Sequence, residues 1–255
     1  MHMASVKVQP SAVRRPGLTP GDVGLDFLAG IPMLASLLKL PEATLRRSVS
    51  VTVHPLDSDL YHQNDAALDL LVLTRGQVIL TAASFGSGDD EIIDIVTAVS
   101  CFGEEALLGG RRLVNARVLA GSRIVAVDAS VLPGDNRLIL DHLYRRQRWM
   151  VEEIAALKSL PPAQRLARLL LSMIDGTDGG VTVRLPALKK VIARKIGVDP
   201  CTLSSRVLPR LKAVGVTFEA DLVEVGSIAA LAAFSQQKGM VKGFRRPERR
   251  PGIAD

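Results

Sequence analysis

Hydroxyl and basic side chains are concentrated between positions 189 and 210 of this 255-residue chain. Proteins use such side chains on double-stranded DNA, where arginines and hydroxyls bond to base edges and Lys and Arg neutralise phosphates. The predicted base-edge residues are Thr202, Ser204, Ser205 and Arg206. The predicted phosphate-contacting residues are Lys189, Lys190 and Arg210. Of the base-edge candidates, arginine alone can form a bidentate contact with guanine.

Two helices joined by a tight turn are predicted to position these residues. Gly197 ends the first helix, and Asp199 caps the second, which begins at Pro200. The residues expected to face inward are Leu188, Val191, Ile192 and Ile196 in the first helix and Leu203, Val207 and Leu211 in the second. Two short strands, Val216–Glu219 and Leu222–Val225, follow where a winged helix-turn-helix has its wing. The alternative is an αα-hairpin with a basic surface.

The excess of positive charge lies in the last third of the chain. Residues 181–255 hold 14 Lys and Arg against 6 Asp and Glu, whereas the first 180 residues hold 18 against 20. The whole net charge of +6 therefore comes from the segment that contains the predicted helix pair. A basic segment of this kind is expected where a protein meets phosphate.

Other chemistries lack the residue groupings that they require. The sequence contains no nucleophile with a matching base, no glycine-rich phosphate loop, and no histidines at metal-ligand spacing. Two cysteines are too few for a disulfide framework or a four-cysteine iron–sulfur cluster, and both are expected to be reduced thiols. Ser204 and Ser205 are better explained as groove-facing residues than as nucleophiles. We therefore expect neither an enzyme nor a metal site.

Short β-rich segments recur between residues 49 and 129, separated by glycine-containing turns. The predicted strands are 49–53, 70–73, 77–81, 92–99, 116–119 and 123–127. Many short strands at regular spacing indicate an antiparallel barrel or sandwich. The alternative is a β-sandwich that binds no ligand.

A long helix is predicted over residues 136–158. Its apolar positions are spaced alternately three and four apart, which is typical of a coiled-coil seam and favours a parallel homodimer. The predicted seam residues are Leu140, Leu143, Gln147, Met150, Ile154 and Leu157. The alternative is a single amphipathic helix that packs on its own domain.

These segments divide the chain into five parts and define an α+β protein. The predicted parts are a mobile arm (1–24), a jelly-roll-like antiparallel β-roll (25–135), a dimerisation helix (136–160), a winged helix-turn-helix domain (161–235) and a basic disordered tail (236–255). No apolar run is long enough to span a bilayer, and the start lacks a secretory signal pattern. We therefore expect a cytoplasmic protein.

Three separated motifs resemble the Crp/Fnr family of bacterial transcription regulators. They are LVLTRGQVIL (71–80), FGEEALL (102–108) and IGVDPCTLSSRVLPRLKAVGV (196–216), and the third is most similar to the branch of denitrification regulators. The resemblance implies a homodimer that binds an inverted-repeat operator in double-stranded DNA, with RNA polymerase as a further partner. It also implies an effector pocket in the β-roll, formed by Phe102, Gly103, Glu104, Leu107, Arg112 and Asn115.

The motif at 102–108 departs from the family at one position that decides effector chemistry. Cyclic-nucleotide-binding members have an arginine for the cyclic phosphate eleven residues after the glycine, where this chain has Val114. A buried phosphate needs a cation or several N–H donors, so weak or absent binding of cyclic AMP is predicted. Arg112, on the same face of a strand, offers a partial replacement. An apolar or haem-type effector is the other interpretation, with His62 or Cys101 as the axial ligand.

The third motif departs from the family as well. The family's cytosine-reading glutamate falls at Cys201, and its guanine-reading arginine falls at Ser205 or Arg206, because one extra residue precedes Gly215. Pro209 should also kink the second helix, since it cannot donate a backbone hydrogen bond. The alternative function is therefore a β-roll that binds a small molecule or a protein, joined to a basic domain that binds DNA without sequence specificity.

Overall fold

The structure is a computed structural model that describes residues 31–32, 34–84, 90–132, 136–174, 179–185, 189–219 and 222–236. The predicted mobile arm and all but the first residue of the predicted basic tail lie outside these residues. The chain divides between Trp149 and Met150 into two compact units. Within the described residues, no helix combines the length and the apolar character needed to cross a membrane.

Two four-stranded antiparallel sheets form the first unit, with strand orders β1-β8-β3-β6 and β2-β7-β4-β5. The strands are β1 (Val49–His54), β2 (Ser58–Tyr61), β3 (Asp69–Arg75), β4 (Gln77–Ala82), β5 (Glu91–Thr97), β6 (Ser100–Phe102), β7 (Asn115–Val118) and β8 (Ser122–Asp128). The predicted antiparallel β-roll is therefore confirmed. Six strands were predicted, and the two missed strands, β2 and β6, are only four and three residues long.

The strands β3 and β8 are apolar on both faces because each face meets a different cluster. One face of β3 places Leu71 and Leu73 between the two sheets, with Phe102 and Val118 among their neighbours. The other face places Leu70 and Val72 in an outer cluster that also contains Leu34, Leu37, Val125 and Val127. A 3₁₀-helix (Ala35–Lys39) and α1 (Glu42–Ser48) precede β1, and Leu34 and Leu37, at the start and in the middle of the 3₁₀-helix, cover this outer face. A run of apolar residues in a strand is typical of a sheet that is covered on both sides.

Two helices follow the strands. The long helix α2 (Asn136–Ser159) matches its predicted bounds to within one residue. The chain then passes through Pro161, and α3 (Pro162–Leu171) begins with a proline in its first turn, where the missing N–H removes no helical hydrogen bond.

The second unit continues as a winged helix-turn-helix. Its elements are β9 (Val181–Arg184), α4 (Lys189–Lys195), a helix over residues 200–212, β10 (Val216–Glu219), β11 (Leu222–Val225) and α7 (Ile228–Gln236). The three strands form an antiparallel sheet in the order β10-β11-β9. Leu166, Ile192, Leu211, Val223 and Leu231 are buried in this unit. The predicted fold class, β-roll, long helix and winged helix-turn-helix, is confirmed.

Candidate nucleic-acid interface and effector cassette

The turn between α4 and the 200–212 helix is fixed at its first end by backbone hydrogen bonds and at its second end by a side-chain cap. Gly197 has φ 68°, and the N–H groups of Gly197 and Val198 donate to the carbonyls of Arg194 and Ala193 at 2.9 Å each. This is the Schellman arrangement that ends a helix on a left-handed residue. The Asp199 carboxylate then accepts from the Thr202 N–H at 2.8 Å and from the Thr202 hydroxyl, and these hydrogen bonds lower the pKa of Asp199.

The 200–212 helix is not one regular α-helix. It consists of α5 (Pro200–Thr202), a π turn (Leu203–Val207) and α6 (Leu208–Lys212). The kink expected at Pro209 stays a prediction. The Leu208 N–H donates to the carbonyl of Leu203, five residues earlier. A π turn contains one residue more than an α turn, so it accommodates the extra residue seen in the sequence. It also avoids the α-helical bond from residue 209 to Ser205, which a proline cannot donate.

The inward residues of this helix are those predicted. Leu203, Val207 and Leu211 expose 1%, 3% and 0% of their surface. Their burial leaves the intervening side chains directed outward, and Ser204, Ser205 and Arg206 are all exposed.

The four predicted base-edge residues differ in how their polar atoms are engaged. The Thr202 hydroxyl is bonded to the Asp199 carboxylate, and Thr202 is half-buried. The Ser205 hydroxyl donates to the carbonyl of Cys201 at 2.7 Å. Ser204 and Arg206 have no side-chain hydrogen bond to any residue that the structure describes. Ser204 and Arg206 therefore combine an exposed side chain with unengaged donors, and of the two only Arg206 can form a bidentate contact with guanine.

The predicted phosphate-contacting residues, Lys189, Lys190 and Arg210, are all exposed. A further lysine, Lys212, was not predicted. It lies on an open groove of about 400 Å³ together with Ser204, Leu208 and Pro209 on one side and strand β10 on the other. The sequence did contain a signal for Lys212. It follows Ser204 by eight residues, which is two turns of a helix whose side chains repeat every four residues.

The effector motif forms a tight cassette between β6 and β7. Gly103 has φ 77°, and a 3₁₀-helix (Glu104–Leu108) follows it. The Arg112 side chain, 5% exposed, donates to the carbonyls of Gly103 at 3.0 Å and Asp69 at 2.8 Å. Its guanidinium also stacks on the Tyr61 ring at 4.4 Å and pairs with the Glu105 carboxylate at 3.6 Å. Arg112, the cation nearest in sequence to the phosphate-pairing position, is therefore already bonded to groups of the chain itself.

The other predicted pocket residues are divided between different surroundings. Phe102 lies in the cluster between the sheets, whereas Leu107 packs against the outer cluster. The Asn115 side chain accepts from the Gln63 N–H at 2.7 Å and donates to Asp90 at 2.9 Å. The structure thus brings Gly103 and Arg112 into contact but directs Phe102 and Leu107 to opposite faces of one sheet.

Glu104 joins the cassette to the first half of α2, through residues that the sequence did not identify. His142 lies 3.3 Å from the Glu104 carboxylate, and Arg146 lies 3.8 Å from it. Arg146 also pairs with the buried Asp94 at 3.1 Å and stacks on Trp149 at 4.4 Å. Burial raises the pKa of Glu104, but the hydrogen bond with His142, a backbone N–H and the charge of Arg146 outweigh it and lower the pKa overall.

The two candidate haem ligands, His62 and Cys101, lie in different surroundings. His62 is exposed, and its backbone N–H donates to Asp65 at 2.8 Å. Cys101 packs against the outer apolar cluster, where burial, with the nearby Glu104, raises the pKa of the thiol to about 12. Cys101 is therefore a neutral thiol at physiological pH.

The predicted seam of α2 is largely exposed. Leu140, Met150, Ile154 and Leu157 are exposed by 63%, 47%, 51% and 45%, and Leu143 is half-buried. Tyr144 and Val151, which were not predicted, are also exposed, by 65% and 60%. Together with Leu140, Gln147 and Ile154 they follow the same alternation of four and three. An exposed stripe therefore runs through Leu140, Tyr144, Gln147, Val151 and Ile154, and Met150 and Leu157 of the predicted seam are exposed as well.

A β-roll, a long helix and a winged helix-turn-helix in this order define the architecture of the Crp/Fnr regulators, and the predicted resemblance to that family is confirmed at the level of the fold. The chain is similar to a candidate cyclic nucleotide binding protein from Ruegeria pomeroyi, with 25% identity and a TM-score of 0.61, over 84% of this chain and 100% of that one. It is also similar to FixK2 from Bradyrhizobium japonicum, with 19% identity and a TM-score of 0.62, over 72% of this chain and 96% of that one.

A third similar structure is a transcriptional regulator of the CRP/FNR family from Thermus thermophilus. It has 16% identity and a TM-score of 0.59, over 75% of this chain and 100% of that one. Crp/Fnr regulators are not enzymes, which agrees with the expectation drawn from the sequence. No family model matches the sequence, and a search of curated proteins gives no significant match.

Proposed function

We propose that this protein is a homodimeric transcription regulator of the Crp/Fnr type, which reads a specific inverted repeat in double-stranded DNA without cyclic AMP. The observation that carries the proposal is the capped 200–212 helix, which exposes Ser204, Ser205 and Arg206 beside a wing strand. Such a helix fits the major groove, and a dimer places two copies about 34 Å apart on the two half-sites. Its site of action is the cytoplasm, the compartment that contains the DNA, and RNA polymerase is a further partner.

The division of labour on DNA follows from side-chain chemistry. Arg206 contacts guanine, because its guanidinium is exposed and can donate two parallel hydrogen bonds. Lys189, Lys190 and Arg210 contact phosphates, which position the protein without specifying sequence. Thr202, Ser204 and Ser205 are the supporting base-edge residues.

Dimer formation is supported by the exposed apolar stripe on α2. Large apolar side chains on one face of a long helix are unfavourable in water, and a second copy of the same face covers them. Gln147, at the middle of the stripe, would be the polar seam position that fixes the register of the two helices.

Independence from cyclic AMP is supported by two features of the cassette. Val114, at the phosphate-pairing position, packs against the cluster between the sheets and offers no charge. Arg112 is held by two backbone carbonyls, Glu105 and Tyr61, so a ligand phosphate would have to displace these contacts. Since an anion that is buried without a cation is unfavourable, tight binding is not expected. The β-roll is of a small-molecule-binding type. We assign no haem to it, because Cys101 is a neutral thiol and His62 lies at the surface.

Selection of bound sequences from a random DNA pool, followed by binding measurements on the selected and scrambled sequences, tests the proposal. A regulator of this kind should enrich an inverted repeat. The second candidate, a basic domain that binds DNA without sequence preference, is favoured by the concentration of Lys and Arg after residue 181. It predicts salt-dependent binding of equal strength to selected and scrambled DNA.

A further inference from the structure

A small cavity in the second unit is lined by residues of three helices, α2, α3 and α4. Its volume is about 20 Å³, and its charged lining residues are Glu153 of α2, Arg165 and Arg168 of α3 and Lys195 of α4. All four residues belong to the same compact unit. Three cations therefore face one carboxylate among the described residues that line this cavity.

The carboxylate is already paired, and it does not neutralise the two arginines. Glu153 lies 3.1 Å from the ammonium of Lys195, whose side chain is only 7% exposed. The Arg165 Nη1 donates to the carbonyl of Leu157 at 2.9 Å, which supplies a dipole without a neutralising charge. Burial lowers the pKa of Arg165, as expected for a cation that has lost water. Within the described part of the chain, neither Arg165 nor Arg168 forms an ion pair.

The same two arginines have buried donors that lack an acceptor. The Nε atoms of Arg165 and Arg168 are both inaccessible to solvent, and neither has a hydrogen-bond partner among the described residues. The Arg168 side chain makes no hydrogen bond to any of those residues. A buried donor that has lost water without gaining an acceptor is unfavourable, and more so when its group is charged. The missing component of this cavity is therefore an acceptor with negative charge.

We propose that this cavity binds a tetrahedral oxyanion of the phosphate class. Such an anion carries several acceptor oxygens, and the N–H groups of an arginine can donate to two of them in parallel. A volume of about 20 Å³ holds one or two water-sized groups, so it accepts oxygens of one anion and has no room for a nucleotide base. The bound anion connects α3 to α4 and stabilises the second unit. The site uses none of the residues proposed to contact DNA, so it goes beyond the proposed function.

Thermal unfolding of the full-length protein tests the proposal, in sodium phosphate and in sodium chloride of equal ionic strength at neutral pH. The melting temperature should rise with phosphate, by roughly 5–10 °C at 100 times the dissociation constant, and chloride should not reproduce the rise. Calorimetric titration gives the dissociation constant. A parallel titration with adenosine monophosphate shows whether the phosphate group of a nucleotide is accepted as well as the free anion.

Arg168→Gln is the decisive variant, because it removes a cation that has no described partner. It should weaken phosphate binding by roughly tenfold or more, which corresponds to one lost charge-assisted hydrogen bond. In chloride it should melt at or above the wild-type temperature, because it relieves repulsion between like charges. A residue that only supports the fold would lower the melting temperature in both salts. The matched control is Lys158→Gln, which removes an exposed cation of α2 and should keep the wild-type affinity for phosphate.

Several results would overturn the proposal. They are a melting temperature that phosphate does not change, an equal rise in chloride, an equal affinity of wild type and Arg168→Gln, and an equal loss of affinity in Lys158→Gln. Binding of adenosine monophosphate without binding of phosphate would also overturn it, whereas binding of both, or of phosphate alone, supports it and identifies the source of the anion. If Arg168→Gln does not fold, Arg168→Met, which also removes the charge, takes its place with the same outcomes.

Discussion

Two arginines of this chain lie at or beside positions where the Crp/Fnr pattern has a functional arginine, and the structure treats them in opposite ways. Arg112 in the β-roll is buried. Its guanidinium donates to two backbone carbonyls, pairs with a carboxylate and stacks on a tyrosine ring. Arg206 in the 200–212 helix is exposed and has no side-chain partner among the described residues. An arginine near a family motif is therefore insufficient evidence of a binding site, because a guanidinium can recognise a ligand only where the fold leaves its N–H donors unengaged.

The largest effect should come from removing the occupied arginine. Arg112→Ala leaves Glu105 without its cation and removes the hydrogen bonds to the carbonyls of Gly103 and Asp69, which should destabilise the β-roll by about 3–5 kcal/mol. Unfolding in denaturant, followed by the fluorescence of the single tryptophan, Trp149, measures this. The matched control is Arg111→Ala, whose exposed guanidinium donates to the Asn64 carbonyl and whose loss should cost under about 1 kcal/mol. Equal effects of the two variants would show that Arg112 does not hold the cassette together.

The next largest effect should come from loss of the dimer, because only a dimer places two copies of Arg206 on the two half-sites. Val151→Asp with Ile154→Asp places charges in the proposed seam, so the protein should become monomeric and lose roughly 100-fold or more in operator affinity, since one half-site contact is then lost. Mass measurement in solution and binding to the operator check both results. Leu56→Asp, at an exposed leucine of the β-roll, is the control and should remain dimeric. A double variant that stays dimeric would place the dimer interface elsewhere.

A smaller effect should follow from the carboxylate that joins the cassette to α2. Glu104→Gln removes the carboxylate that pairs with His142 and one of the two carboxylates that pair with Arg146. It should destabilise the first unit by about 1–3 kcal/mol. The folded-state pKa of Glu104 is lowered, so its contribution to stability is complete above the ordinary glutamate pKa and is lost as the pH falls through the folded value.

The difference in stability between wild type and Glu104→Gln should therefore be greatest near neutral pH and should shrink in acid. Asp141→Asn, which breaks the exposed pair with Arg145, is the control and should change the stability by under about 1 kcal/mol. A difference between wild type and Glu104→Gln that grows as the pH falls would contradict the lowered pKa.

The smallest effect should come from a phosphate contact. Lys190→Ala should weaken binding to operator and scrambled DNA by the same factor and make the slope of log K against log salt shallower by roughly 1. Titrations on both sequences at several salt concentrations measure it. A change confined to the operator would move Lys190 from the phosphate group to the base-reading group.

The parts of the structure that depend on local signals were predictable from the sequence. Gly197, Asp199 and Pro200 each act within one turn, so the end of α4 and the cap of the next helix could be located. The inward stripe of Leu203, Val207 and Leu211 was also predictable, because positions i, i+4 and i+8 lie on one face of a helix. The extra residue before Gly215 was a signal of the π turn, which was not predicted, whereas Pro209 was interpreted as the position of a kink.

The parts that depend on distant contacts were not predictable. Arg112 meets Asp69, 43 positions earlier, and Glu104 meets His142, 38 positions later, and no periodicity connects such pairs. Tyr144 and Val151 were missed for a different reason. The alternation of three and four begins equally well from Leu140 to Leu143 or from Leu140 to Tyr144, and only burial of Leu143 within its own unit distinguishes them.

The exposed Arg206 is proposed to read the DNA sequence. Affinities of wild type and Arg206→Ala should be measured on the selected operator and on scrambled DNA at one salt concentration. Arg206→Ala should lose about 1–3 kcal/mol of binding free energy on the operator, through relaxed preference at one base pair of each half-site, and little on scrambled DNA. An unchanged ratio of operator to scrambled affinity in Arg206→Ala would contradict it.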